Sequence, residues 1–229
     1  MKIGIIGAMD EEVALLLESM TDKNEQTVAN CLFVEGKIQD KDVVLLKSGI
    51  GKVNAAMATT IMHERFSPSH VINTGSAGGF AEKLEVGDVV ISTKVVHHDV
   101  DVTAFDYAYG QVPGLPAMYT ADQLLIDQAV SAISDIEINY EKGIIATGDA
   151  FMEDPEKVAF VRTKFPSMLA SEMEAAAVAQ VCHQYGKPFV IIRALSDIAG
   201  KKSSLSFDQF LDKAAKNAAQ LIMTMIKDM

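Results

Sequence analysis

Two carboxylates, Glu172 and Glu174, stand in the run Ser171-Glu172-Met173-Glu174-Ala175-Ala176, where a strand is expected to end and an alanine-rich helix to begin. Further on, residues 189–197 read FVIIRALSD, an apolar strand that ends in Arg193, Ser196 and Asp197. At the N-terminus, GIIGAM closes a first strand and Asp10-Glu11-Glu12 follows at once. Open α/β sheets bind ligands at the carboxyl ends of their strands. Acids gathered there repel one another, so the arrangement suits a ligand with hydroxyls, or one that develops positive charge. Phosphate-binding turns leave a helix N-terminus open to an anion. Here three acids occupy that place, which repels phosphate and offers a base for water instead.

Other motifs are less specific. Residues 48–54 (SGIGKVN) and 73–79 (NTGSAGG) read as glycine-rich turns between a strand and a helix. Neither has the dinucleotide spacing GxGxxG or the P-loop spacing GxxxxGK[ST]. Residues 147–152 (TGDAFM) place Phe151 near a strand end, where a core position and a ring stacked on a heterocycle are both open. His97-His98-Asp99-Val100-Asp101 has the residue types of a metal cluster. Adjacent histidines on a strand point apart, and no distant third set of ligands is apparent. Loop hydrogen bonds are therefore the expected use of these side chains, with no metal.

These residues need elements to hold them. Short runs rich in Ile and Val, at 2–6, 43–47, 71–74, 89–92, 143–147 and 189–193, read as buried strands. Helical periodicity suits 11–20, 53–65, 121–133, 155–164, 174–185 and 206–229. Strands alternating with helices predict an α/β fold on a parallel or mixed sheet. A hairpin is expected within 30–47, turning at Gln39-Asp40-Lys41-Asp42. The least regular stretch, 97–120, is rich in aromatics, Gly and Pro, the mark of a functional or interface loop. No repeat or linker interrupts the chain, so residues 1–229 are read as one domain.

Composition narrows the function. The 229 residues are 49% apolar and 22% charged, with a net charge of −11. The only arginines are Arg65, Arg162 and Arg193. Nucleic-acid binding needs clustered cations, so it is set aside, and highly phosphorylated substrates are disfavoured. Two distant cysteines, Cys31 and Cys182, suit reduced thiols. No apolar run is long enough for a membrane span or a signal segment, so a soluble cytoplasmic protein is expected.

Taken in order, these motifs resemble the 5′-methylthioadenosine/S-adenosylhomocysteine nucleosidases of the purine and uridine phosphorylase-like superfamily. The resemblance runs from Lys2 to near the C-terminus. Its markers are IGIIGAM at 3–9 with Glu11-Glu12, SGIGKV at 48–53, NTGSAG at 73–78, DVTAF at 101–105 and YGQ at 109–111. TGD at 147–149, EMEA at 172–175, Arg193 and Ser196-Asp197 complete them. It implies a nucleoside phosphorylase-like three-layer α/β/α sandwich around a mixed sheet, acting as a homodimer on a small nucleoside without a cofactor.

The same resemblance implies roles for residues. Asp197 would protonate adenine N7, oriented by Ser196, and Glu12 would activate water. Glu174 would bind the ribose hydroxyls, with Met173 under the sugar, while Ser76 and Arg193 order the water. Phe151 would stack on adenine and the Met152 backbone read its edge, with Ala77, Gly78 and Glu172 also contacting the ligand. Met9, Ile50 and Phe207 would line the alkylthio end. Val102, Phe105, Tyr107 and Pro113 would cap that end in the partner subunit's site. The chain departs from the family pattern at Asp10, His97, Asp106 and Ser171, all expected to be peripheral, and at Met152. Glu12 is expected in a wetter setting than Asp197, which would push their acidities apart. Alternatives are a phosphorylase of the same superfamily, a different nucleoside hydrolase, and a non-catalytic nucleoside-binding protein.

Overall fold

The computed structural model describes residues 1–136, 138–201 and 203–229. Strand β1 (Lys2–Gly7) leads to helix α1 (Asp10–Ser19), then to strands β2 (Thr21–Val28), β3 (Cys31–Ile38) and β4 (Lys41–Lys47). Helix α2 (Lys52–Phe66), strands β5 (His70–Gly79) and β6 (Val89–His97), and the short strand β7 (Tyr119–Thr120) follow. Helix α3 (Gln123–Ser134), strand β8 (Tyr140–Thr147), helix α4 (Pro155–Lys164) and strand β9 (Met168–Glu172) come next. Helix α5 (Ala175–Gln184), strand β10 (Phe189–Ile198) and helix α6 (Ser203–Lys227) complete the order.

The fold is the expected α/β architecture on a mixed sheet. β1 is central, parallel to β4 on one side and β5 on the other. Ile3, Ile5 and Ile6 are all fully buried, as a strand covered on both faces requires. Helices α1, α3 and α6 pack together, and α2 packs on α5. Asp122 caps α3 by accepting the Leu125 N–H, and Asp154 caps α4 just before Pro155 at its first turn.

Several elements differ from the sequence reading. The predicted hairpin is present as β3–β4, with Gln39 and Asp40 at positive φ. β2, which no pattern signalled, extends that sheet as an edge strand. Its TDKNEQTV sequence is mostly exposed, so it lacks the alternation by which a half-buried strand is recognised. Residues 73–79 are not a turn into a helix. β5 runs through them to Gly79, and no helix follows. Likewise β10 carries on through Asp197 to Ile198.

The reason lies in sheet topology. β5 and β10 pair in parallel along their whole lengths. β10 also pairs antiparallel with β6, β6 parallel with β8, β8 parallel with β9, and β9 antiparallel with β5. That half of the sheet therefore closes into a ring. β5 and β9 arrive from opposite directions and overlap only at Gly78–Gly79 against Ala170–Ser171. Their carboxyl ends meet, which brings the 73–79 and 171–176 segments face to face.

Candidate active site

A cavity of about 340 Å³ opens at this meeting point. Its wall includes Met9 and Glu12 after β1, Ile50 after β4, and Ser76, Ala77 and Gly78 of β5. Phe151 and Met152 after β8, Glu172, Met173 and Glu174 at the β9–α5 junction, Ser196 and Asp197 of β10, and Phe207 of α6 close it. Seven separate segments thus deliver to one cavity every residue expected in the chain's own site except Arg193. Arg193 is fully buried behind the wall.

Glu12 accepts four hydrogen bonds. Its Oε2 accepts the N–H groups of Ala8 (2.8 Å) and Met9 (3.2 Å). Its Oε1 accepts both the backbone N–H (2.8 Å) and the hydroxyl (3.1 Å) of Ser76. The two amides that lead into α1 are therefore taken by a side chain of that helix. Gly75 makes the close approach possible, since a Cβ there would lie 2.1 Å from the Arg193 guanidinium and 2.6 Å from Glu12 Oε1.

Behind the wall, Arg193 donates to Thr74 O (2.8 Å), Asn73 Oδ1 (2.9 Å) and Glu172 Oε2 (2.5 Å), and its charge lies 3.6 Å from Glu174. Glu172 Oε2 also accepts the N–H groups of Glu174 and Ala175, so it caps α5. Glu174 Oε1 accepts the Gly51 N–H at 2.9 Å. One arginine serves this acid cluster. Burial, then the charge of Glu172, pushes the Glu174 carboxyl from an ordinary 4.5 up to about 8.

A raised carboxyl binds more protons folded than unfolded, so its contribution to stability declines as pH rises through that window. We expect the melting temperature of the wild type to fall relative to Glu174→Gln between about pH 5 and about pH 8. Parallel melting curves for the two proteins across this range would refute that assignment.

Asp197 sits at the other end. Its Oδ1 accepts the Ser196 hydroxyl at 2.9 Å, and a Cβ on Gly78 would lie 3.0 Å from its Oδ2. Burial holds its carboxyl above the usual range. The expected contrast of a dry Asp197 and a wetter Glu12 is not what separates them. They are 3% and 4% exposed. The difference is in their partners, four hydrogen-bond donors at Glu12 against the Ser196 hydroxyl at Asp197.

Phe151 and Phe207 meet edge to face, their ring centroids 5.9 Å apart, across the cavity mouth. Ser171, expected to be peripheral, lines the cavity instead. Ala8, Ala150, Ser204 and Asp208 line it too and were missed. Ala8, Ala150 and Ser204 are small residues that carry no chemical signal in a sequence. Val102, Phe105, Tyr107 and Pro113 are not in this wall, and Phe105 is 74% exposed. Of the histidine pair, His97 bonds through its ring to α5 rather than within the loop, and His98 Nε2 is buried with no partner among the described residues. His97 Nε2 meets Gln180 at 3.0 Å, and Asp99 binds the Lys52 ammonium and the Asp149 N–H.

Among the described residues the cavity wall holds five acids and no lysine or arginine. Its two ends are chemically distinct. One has Asp197, held by a single hydroxyl, beside the exposed Phe151 ring, and the other the hydrogen-bonded acids Glu12, Glu172 and Glu174, suited to hydroxyls.

Known proteins share this fold. The model of the phosphorylase superfamily matches residues 2–227. A 5′-methylthioadenosine/S-adenosylhomocysteine nucleosidase of Oceanobacillus iheyensis is 66% identical over 227 residues, covering 99% of each chain. The crystal structure of the Neisseria meningitidis enzyme of that name, in complex with methylthio-immucillin-A, superposes with a TM-score of 0.98. It is 49% identical, covering 100% of this chain and 99% of that one. The Colwellia psychrerythraea enzyme, in complex with adenine, gives 0.97 at 49% identity over 99% of this chain and 94% of that one. The chain belongs to the phosphorylase superfamily and, within it, to the 5′-methylthioadenosine/S-adenosylhomocysteine nucleosidase family.

Proposed function

We propose that this protein hydrolyses the N-glycosidic bond of 5′-methylthioadenosine and S-adenosylhomocysteine, releasing adenine and the 5′-thioribose. 5′-Deoxyadenosine fits the same chemistry, and methionine salvage with recycling of S-adenosylmethionine by-products is the matching role. The observation that carries the hydrolytic reading is the charge of the cavity. Phosphate would meet five acids with no described cation in the wall, and the Ala8 and Met9 amides just ahead of α1 are already bonded to Glu12. Water is the acceptor such a site tolerates.

In this reading the purine lies at the Asp197 end and the ribose at the Glu174 end. As the bond between C1′ and N9 breaks, positive charge builds on the sugar and negative charge on the purine. Asp197 gives its proton to N7. Glu12 takes a proton from the water whose oxygen bonds to C1′, and Ser76 and Arg193 help to order that water. The acids near the sugar stabilise its developing charge. Glu174 holds the ribose hydroxyls over Met173, and Phe151 stacks on the base whose edge the Met152 backbone reads. This chemistry calls for no metal or organic cofactor.

The exposed loop supports a homodimer. Phe105 presents a large apolar surface that a monomer leaves in water. Val102, Phe105, Tyr107 and Pro113 of the partner subunit would cap the alkylthio end beside Met9, Ile50 and Phe207. A cytoplasmic setting accords with Cys31 and Cys182 as free thiols, and no described helix is long and apolar enough to cross a membrane.

Incubation with 5′-methylthioadenosine tests the activity. Adenine and free thioribose should appear at equal rates with and without phosphate. A phosphate requirement, with a sugar 1-phosphate as product, would replace hydrolysis by phosphorolysis. Sedimentation should give a dimer that Phe105→Ala with Tyr107→Ala weakens, and a fully active wild-type monomer would remove the shared site.

A further inference from the structure

Thr147 ends β8 and is fully buried, outside the cavity wall. Its Oγ1 accepts the Ala176 N–H at 2.8 Å. It also donates a short hydrogen bond to Glu172 Oε1. Because the oxygen is already an acceptor for α5, its single proton is directed at the carboxylate. Glu172 is thereby held at both oxygens, with Thr147 on Oε1 and Arg193 and the first α5 amides on Oε2.

We propose that Thr147 is a positioning residue for the reaction, a hydroxyl that locks Glu172 and the start of α5 so that Glu172 and Glu174, backed by Arg193, meet the sugar in one fixed geometry. This rests on the hydrolytic reading above. The logic is positional. Met173 and Glu174 are the residues just before α5, and their placement follows from where that helix begins. Two bonds from one buried hydroxyl tie that point to the end of β8. An acid on a rotatable side chain beside two others would otherwise have several arrangements around a single arginine. The acid of the adenine end and the small residues beside it come from other strands, Asp197 and Ser196 from β10 and Ala77 and Gly78 from β5, while Phe151 and Met152 follow β8 beyond Gly148. The Thr147 hydroxyl bonds to Glu172 and Ala176 and to none of these, so its influence should fall on the sugar end.

The test compares Thr147→Val, which keeps the shape and loses the hydroxyl, with Thr147→Ser, which keeps the hydroxyl. Thr147→Val should lower kcat/KM for 5′-methylthioadenosine about 10- to 100-fold, the effect of losing a hydrogen bond to a charged group. Its affinity for adenine alone should stay within about twofold of wild type, because distant parts of a site act independently. Thr147→Ser should recover turnover to within about threefold of wild type, since the donor is restored. Three outcomes overturn the proposal. They are unchanged turnover in Thr147→Val, a parallel loss of adenine affinity, and a Thr147→Ser variant as impaired as Thr147→Val. If Thr147→Val does not fold, Thr147→Ala replaces it under the same criteria. Wild-type turnover is measured first. Its absence would remove the hydrolytic reading itself, whereas an active wild type with an unaffected Thr147→Val removes this inference alone.

Discussion

Asp197→Asn should release adenine from 5′-methylthioadenosine about 10²- to 10⁴-fold more slowly than wild type, the usual worth of a positioned general acid. The leaving purine needs a proton at the moment its bond to the sugar breaks. Asp197 is buried on an apolar strand, and burial raises its hold on a proton. The Ser196 hydroxyl fixes its orientation at 2.9 Å. Asparagine has the same shape but an amide that is far too weak an acid. The variant should fold normally and still bind the nucleoside, so the loss falls on kcat. Single-turnover adenine release, with ligand affinity measured in parallel, decides it. Near-normal release would sink the general-acid role, and loss of binding together with activity would point to a structural role.

Glu12→Gln should also be nearly inactive, by about 10²-fold or more, and phosphate should not rescue it. The geometry adds a second effect. Both carboxylate oxygens of Glu12 accept backbone N–H groups, from Ala8 and Met9 on one and Ser76 on the other. An amide must turn its NH2 toward one of those donors in either orientation. The variant should therefore lose about 1–3 kcal/mol of stability, the cost of a buried polar group facing the wrong partner. Thermal melting and turnover should fall together, while adenine still binds at the Asp197 end. Wild-type turnover in this variant would assign the water's proton elsewhere.

Legibility differed between the fold and the site for physical reasons. The period of apolar residues was enough to place β1, β4, β6 and β8, and all six main helices, because burial of one face or both leaves that pattern. The edge strand β2 left none, since almost nothing on it is buried. Residues 73–79 misled because glycine-rich sequence usually marks a turn. Here Gly75 serves a different need, leaving room for Arg193 and Glu12 beside a strand that continues. β9 was visible only as the end of a strand, being short and held at its carboxyl end by two residue pairs with β5.

The chemical identities of the site were determined by the sequence itself. Glu12, Glu174, Arg193 and Asp197 were recognisable by type and by their place at strand ends, and the family resemblance followed from their order along the chain. Which groups touch was decided only by tertiary structure. Closure of the β5, β10, β6, β8 and β9 ring brings segments from both halves of the chain to one cavity. That closure put Arg193 behind the wall, Ser171 in it, and Glu12 in as dry a setting as Asp197. It also gave Glu12 its two Ser76 donors and joined Thr147 to Glu172. Hydrogen-bond partners and burial depend on strands distant in sequence, so no local pattern encodes them, and they are what divides the roles among chemically similar acids.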